Sequence, residues 1–269
     1  MFERNVWTGK VLVIAFCFTI LVAFAGCNDA RVNVLLAASM DTTKANVEQE
    51  DIQSLLVTVT GIALLKSDGV GEEVPLTVTP LDVDLIQLSG VAALLNSATI
   101  PTGVYNQVRL DVENPRLVLV SEPETVITDV HFTANSRLMV AERFAVYAGT
   151  TNNIVLDIDG IHLVSQGNGG YTLTPMLRAR FRDDTVPMLA QGLVVSVDAA
   201  AGSMVLGLSD TDVIINISEA SIYLPGDTDT ATGTMDNLVE GTEVIVEGDV
   251  NAGGNITAAK ITVVPVAEE

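Results

Sequence analysis

The stretch YNQVRLDVE, residues 105–113, alternates between apolar and polar side chains. One face of this stretch carries Val108, Leu110 and Val112. The other face carries Gln107, Arg109, Asp111 and Glu113. Successive side chains of a β-strand point to opposite sides, so a period of two predicts a strand with one face in a core and one in water. Such half-buried strands are typical of antiparallel sheets.

The same alternation recurs in segments 53–66 and 242–250. Their predicted buried faces are Leu55, Val57 and Val59, and Val244, Val246 and Val250. Turn signals separate the runs at 67–69, 167–170 and 251–254. The best helical candidate, Leu85 to Leu95, is short and is interrupted by Gly90. Many short strands with regular turns predict an all-β protein built as a sandwich or a barrel.

A polar break at residues 183–190 divides the chain. It contains Asp183, Asp184 and Pro187, and proline cannot donate a hydrogen bond to a strand ladder. We therefore expect a β-sandwich over residues 31–182, a linker over 183–190 and a small β-barrel over 191–265. Because alternating strands follow the break, the barrel is expected to fold alone.

The N-terminus is typical of an export signal over residues 1–26. Arg4 and Lys10 precede an apolar run, Val11 to Ala25, which is shorter than the roughly 20 residues of a membrane span. The run ends in Ala25-Gly26-Cys27, which resembles the lipobox of bacterial lipoproteins, although Phe24 stands where leucine is usual. An ordinary signal peptide or an uncleaved anchor are the alternatives.

The lipobox resemblance implies that Cys27 carries a diacylglycerol and becomes the new N-terminus, with residues 27–30 as a tether. Asn28 follows the cysteine, where an aspartate would imply retention at the inner membrane. The resemblance therefore implies the outer membrane of a Gram-negative cell envelope. The other cysteine, Cys17, would leave with the signal, so no disulfide is expected.

The chain is strongly acidic, with 34 Asp and Glu against 13 Lys and Arg, a net charge of −21. Nucleic acid binding needs a basic surface that releases counterions, so no nucleic acid partner is expected. Hydrophobic residues make up 48% of the chain, far more than is typical of disordered proteins, so we expect a folded protein.

Several segments of the predicted sandwich resemble a family of bacterial lipoprotein domains of unknown function, the 4382 family. They are 83–88, 100–110, 156–159 and 171–175. The family's Thr-Asp-Ala-Pro turn is replaced here by Ser39-Met40-Asp41-Thr42, so any role of that turn does not carry over. The resemblance implies an immunoglobulin-like or transthyretin-like sandwich.

The predicted barrel is similar to a second domain of unknown function found on exported bacterial proteins, the 5666 family. The matching segments are 192–194, 238–244 and 257–261. This resemblance implies an OB-like β-barrel, related to barrels that bind oligonucleotides or oligosaccharides. Such folds serve many functions, so the fold alone names none.

Pairs of acids are the best candidates for a metal site. Asp82 with Asp84, and Asp157 with Asp159, each project from one strand face, and together they could surround a calcium ion. The pairs Asp210 and Asp212, and Asp227 and Asp229, repeat the spacing. None has the order of a calcium-binding loop, so solvated strand faces are the alternative explanation.

Three arginines, Arg178, Arg180 and Arg182, alternate on one predicted strand face and are candidate ligand-binding residues. Such a stripe can hold carboxylates or phosphates. The alternative is a surface ladder neutralised by neighbouring acids.

Catalytic residues are scarce in this sequence. The two histidines, His131 and His162, are far apart, and no nucleophile elbow is present. We therefore expect no enzyme and no cofactor, but a membrane-anchored structural or interaction module with an envelope protein or polysaccharide as partner. The alternative is a lipoprotein that binds carbohydrate or calcium.

Overall fold

The computed structural model describes residues 29–39, 49–67, 72–76, 78–133, 136–167, 169–208, 211–228 and 230–265. The side chains of residues 159–161 are outside this description. Cys27, the predicted signal peptide, Asp210 and Asp229 also lie outside the described residues.

Strands make up most of the described chain. Their bounds are β1 Asp29–Ser39, β2 Ile52–Lys66, β3 Glu73–Leu76, β4 Leu81–Asp84, β5 Ala92–Pro101, β6 Gly103–Leu119, β7 Glu122–Ile127, β8 Val130–Phe132, β9 Arg137–Val146, β10 Thr151–Ser165, β11 Tyr171–Arg182, β12 Val186–Asp198, β13 Ser203–Leu208, β14 Thr211–Asn216, β15 Ser221–Tyr223, β16 Glu243–Val250 and β17 Ile256–Val263. Short 3₁₀ turns lie at Gln49–Asp51 and Met235–Asn237. Within the described ranges, no helix has the length and apolar character needed to span a membrane.

A six-stranded antiparallel sheet forms one layer of the sandwich. Its order is β3-β2-β6-β7, with β4 also paired to β2 and β9 also paired to β6. The second layer contains β5, β1, β10, β11 and β8. The alternation of β6 explains the packing: Val108, Leu110 and Val112 are at most 1% exposed and face the core. Aliphatic side chains from both sheets are buried in this core in the same way, and their burial is the main driving force for the fold.

The second half of the chain forms a closed barrel. The pairs β12–β13, β13–β14, β14–β17, β17–β16 and β16–β12 return to their starting strand. The β14–β17 pair is parallel, and β15 lies beside β17. Closure leaves no unpaired edge in this circuit. The predicted all-β architecture, a sandwich followed by a small OB-like barrel, is confirmed.

Barrel and sandwich share a sheet and a core. Strand β12 pairs in parallel with β5 at Met188 and Leu189, so the larger sheet continues from one unit into the other. Leu35, Leu94 and Val155 of the sandwich pack in the same apolar cluster as the barrel interior. The larger sandwich sheet is therefore covered on both faces at this position.

Buried polar side chains tie the barrel to the sandwich. Asn33 Nδ2 donates to Asn153 Oδ1 at 3.0 Å, and Ser97 Oγ donates to Asn33 Oδ1 at 2.7 Å. Asn153 Nδ2 donates to the carbonyl oxygen of Asn251, in the β16–β17 turn, at 2.7 Å. Because all three side chains are at most 4% exposed, these bonds satisfy groups that would otherwise be costly to bury.

Two segments differ from what the sequence suggested. Leu85 to Leu95, the best helical candidate in a sequence predicted to be all-β, forms no helix: residues 85–90 form turns and β5 begins at Ala92. Residues 186–190, assigned to a linker, belong to β12, because their backbone pairs with β16 and Val186, Met188 and Ala190 are buried. The division into domains itself remains a prediction.

Candidate functional site

The four predicted calcium ligands divide between the two sheets. Asp82 and Asp84 lie on β4 of the smaller sheet, whereas Asp157 lies on β10 of the larger one. The side chain of Asp159 is outside the described residues. Among the side chains that are described, no three acidic, histidine or cysteine residues group closely enough to hold a metal ion. The calcium hypothesis therefore gains no support from the geometry.

Asp84 has a local structural role. Its Oδ1 accepts hydrogen bonds from the backbone N–H of Leu55 at 3.1 Å and of Ile86 at 3.0 Å. The carboxylate thus holds the turn after β4 against β2. Asp227 acts similarly in the barrel, where bonds from the backbone of Leu224 and from Thr232 lower the pKa of its carboxyl group.

The arginine row lies on β11 beside β10. Arg180 Nη2 is 3.5 Å from Asp157 Oδ2, and Arg182 makes two 2.6 Å bonds to the carboxylate of Asp184. Arg178 is opposite Asp157 in the strand register. This is the arrangement of a surface ladder neutralised by acids. Exposed pairs of this kind stabilise a protein by at most about 1 kcal/mol.

A polar groove of about 760 Å³ crosses one side of the sandwich near β4 and β8. The residues that line it are Thr58, Pro80, Asp82, Asn114, Pro115, Arg116, Thr128, Val130 and His131. Its volume is in the range of small-molecule sites, but its walls are more polar than is usual for such sites.

The groove is built around Asp82 and Arg116. Thr58 Oγ1 donates to Asp82 Oδ1 at 2.6 Å, and Arg116 Nη2 is 2.5 Å from Asp82 Oδ2. Bonding to Arg116 first, and then to Thr58, lowers the pKa of Asp82. Arg116 Nε is buried and has no hydrogen-bond partner among the described residues. The groove therefore holds an ionised carboxylate paired with a guanidinium, and the two side chains are 51% and 31% exposed.

A bulge in β6 places Arg116 in the groove. Leu56 pairs with Arg116 while Thr58 pairs with Glu113, so Asn114 and Pro115 together oppose one residue of β2. Asn114 has a φ of 48°, a left-handed conformation that asparagine tolerates better than most residues. A proline is accepted here because a bulge does not need its missing N–H.

A family model described as Domain of unknown function (DUF4382) matches residues 37–175, just over half of the chain. The chain belongs to this family. No curated protein and no solved structure matches it. The DUF4382 segment runs from β1 into β11, so it contains the whole lining of the groove, whereas the barrel lies beyond it. The expected 4382 resemblance is confirmed, and the 5666 resemblance remains a prediction.

Within the DUF4382 segment, the structure brings the two histidines closer than their spacing suggests. His131 pairs with Thr172 on one side of β11, and His162 pairs with Thr174 on the other. His131 Nε2 is 2.8 Å from Asp129 Oδ1, but this side chain is 70% exposed.

Sequence reasoning identified Asp82 but missed Arg116 and Thr58. The signal that could have found them is the Asn114-Pro115 pair, which interrupts the period of two inside a long strand pattern. Bulges are frequent beside functional sites because they redirect a side chain. Thr58 is recognisable only from the pairing of β2 with β4, which places it opposite Asp82.

Proposed function

We propose that this DUF4382 protein is a lipid-anchored, non-catalytic interaction module of the bacterial cell envelope. The observation that carries the proposal is the position of β1. This strand begins at Asp29, two residues after Cys27, and lies between β5 and β10 with both faces largely buried. A lipid on Cys27 would therefore hold the core of the sandwich directly, with almost no flexible tether.

The proposed absence of catalysis is supported by the polar groove. A general base needs a pKa near the working pH, and the pKa of Asp82 is lowered instead. The Thr58 hydroxyl donates to this weakly basic carboxylate, which activates it little as a nucleophile. The groove is better suited to hold a polar partner than to transform one.

The proposed location rests on the sequence around the lipobox. Asn28 after Cys27 favours the outer membrane of a Gram-negative cell. The net charge of −21 offers no electrostatic attraction to anionic lipid, so the acyl chains would supply the hold. Each buried CH₂ contributes about 0.8 kcal/mol, and stable anchoring takes more than one chain.

The test is Cys27→Ser, because a serine hydroxyl cannot form the thioether to diacylglycerol. We expect the variant to lose the diacylglyceryl group and, because cleavage follows lipidation, to keep Met1 and the apolar run. Cys17→Ser is the matched control, since the same change within the apolar run should leave lipidation and cleavage at Cys27 intact. A wild-type chain that carries no lipid at Cys27 in mass spectrometry would refute the lipid anchor.

A second candidate function, carbohydrate binding, is favoured by the partly exposed Asp82–Arg116 pair in the groove. Both side chains can exchange hydrogen bonds with sugar hydroxyls, and the acidic surface favours neutral over anionic glycans. Arg116→Gln should reduce binding of neutral oligosaccharides such as maltohexaose in calorimetry. Arg180→Gln, a change of an arginine outside the groove, is the control. Equal affinities of the two variants and the wild type would remove this candidate.

A further inference from the structure

The end of the sandwich where β1 begins is formed by two turns. The turn Tyr147–Thr150 joins β9 to β10 on one side of β1, and the turn Pro101–Gly103 joins β5 to β6 on the other. Gly149 N–H donates to the carbonyl oxygen of Asp29 at 3.2 Å, and Arg31 N–H donates to that of Thr150 at 2.9 Å. The first described residues after Cys27 are thus bonded directly to the Tyr147–Thr150 turn.

The Tyr147–Thr150 turn holds one conformation through its own bonds. The carbonyl oxygen of Tyr147 accepts from Thr150 N at 3.2 Å and from Thr150 Oγ1 at 2.7 Å. Asn152 Nδ2 donates to Thr150 Oγ1 at 3.0 Å. Gly149 has a φ of 71°, which glycine adopts without strain. The backbone that carries the Tyr147 ring is therefore fixed relative to β1.

Tyr147 is 68% exposed, more than any other exposed large hydrophobic residue in the described part of the chain. Neither turn contains an acidic residue, in a protein with 34 of them. The charges nearest in sequence to the start of β1 are Asp29 and Arg31, of opposite sign. Glu72 also lies near this end, since Ser67 N–H donates to the Val104 carbonyl oxygen, but its carboxylate is paired with Lys66 Nζ at 3.0 Å. The two turns can therefore approach the head groups without bringing carboxylates of their own toward them.

We infer that this end of the sandwich rests on the lipid bilayer, with the Tyr147 ring at the boundary between head groups and acyl chains. The inference rests on the proposed lipid anchor. Two residues span at most about 7 Å, so a lipidated Cys27 keeps Asp29 close to the membrane surface. Tyrosine favours this boundary because its ring is apolar and its hydroxyl is hydrated.

A single-tryptophan experiment tests the inference on the full lipoprotein. The only tryptophan, Trp7, precedes Cys27 and would be removed with the signal. Tyr147→Trp would therefore carry the only tryptophan of the mature protein. In phosphatidylcholine vesicles with brominated acyl chains, we expect a blue-shifted emission and a roughly twofold loss of intensity. Ala148→Trp, at the next exposed position, provides a second probe of the same turn.

Val120→Trp is the matched control. Val120 is 55% exposed in the β6–β7 turn, at the end of β6 opposite to Gly103. Gly103 pairs with Val146, next to Tyr147. The 17 residues of β6 separate the two probes by about 50 Å, so the Val120→Trp variant should keep its emission.

Mass spectrometry of the N-terminus separates the two ways of failing. A chain without lipid at Cys27 overturns the proposed function and this inference together. If the chain is lipidated and vesicle-bound but the Tyr147→Trp and Ala148→Trp variants keep their emission, the inference is wrong while the proposed function stands. The same holds if the Val120→Trp variant is quenched as strongly as the other two. Quenching confined to the Tyr147–Thr150 turn supports it.

Discussion

Asn153→Ala should destabilise the protein by separating the barrel from the sandwich. Asn153 is fully buried on β10, between Asn33 of β1 and the β16–β17 turn. Alanine removes the acceptor for Asn33 Nδ2 and the donor to the Asn251 carbonyl. One bond, to Asn251, crosses from the sandwich to the barrel turn, and the other holds Asn33 beside it.

The size of the destabilisation depends on which hydrogen bonds Asn33 Nδ2 and the Asn251 carbonyl oxygen keep in the variant. Asn33 Nδ2 stays 3.4 Å from the carbonyl oxygen of Gly254, and the Asn251 carbonyl still accepts from Gly254 N–H at 2.8 Å. Neither group is left wholly unsatisfied, so each lost bond costs near the middle of the usual 0.5–1.5 kcal/mol range, or about 1 kcal/mol. We expect the free energy of unfolding to fall by about 2 kcal/mol.

The assay is urea unfolding of a soluble chain that begins at Asn28, followed by circular dichroism. Asn152→Ala is the matched control, because it makes the same change one residue away on the same strand. Asn152 is only partly buried and bonds the exposed Thr150 hydroxyl, so its loss should cost about 0.5 kcal/mol or less. Faster amide exchange at Gly254 should accompany Asn153→Ala alone.

The same experiment can refute the argument. If Asn153→Ala and Asn152→Ala lower the free energy of unfolding equally, the buried amide does not hold the two units together. Unchanged exchange at Gly254 would show that the β16–β17 turn is held by other contacts.

Two further predictions concern the barrel and the groove. The sequence predicts that the fragment from Gln191 onward folds alone, but the structure places the start of β12 at Val186. Because the fragment lacks buried Met188 and the covering Leu94, we expect it to fail to unfold cooperatively, and a cooperative urea transition would contradict this. Bonding to Arg116 lowers the pKa of Asp82, so the folded state binds this proton less readily than the unfolded state. The resulting stability is present above about pH 4 and is lost as the pH falls. Asp82→Asn should therefore lower the free energy of unfolding at pH 7 and change it less in strong acid. An equal decrease in the free energy of unfolding at both pH values would contradict this prediction.

Local sequence patterns determined the strands and their buried faces. Leu55, Val57 and Val59 were predicted to face a core and are at most 1% exposed. Val244 and Val246 of β16 are likewise fully buried. These predictions hold because the period of a strand is set by its backbone, so alternation within one segment is enough to identify both faces.

The segment Leu85 to Leu95 shows a limit of local patterns. Its apolar residues serve two partners, since Leu88 packs in the sandwich core and Leu94 packs with the barrel. Tertiary contacts thus decided the local conformation. The same applies to Arg116, whose role needs the register of β6 against β2.

The sequence by itself determined the all-β class, the buried strand faces, the acidic surface and the candidate lipid-bearing Cys27. Only the tertiary structure decided that the barrel covers the second face of β1. On that face Leu35 packs in the apolar cluster of the barrel, and Asn33 contacts the Gly254 carbonyl oxygen in the β16–β17 turn. A run of apolar residues such as 34–38 shows that a strand is buried on both sides, but not by what. The partner lies more than 200 residues away at Gly254, and a contact at that separation is set by how the whole chain packs rather than by any pattern within a strand.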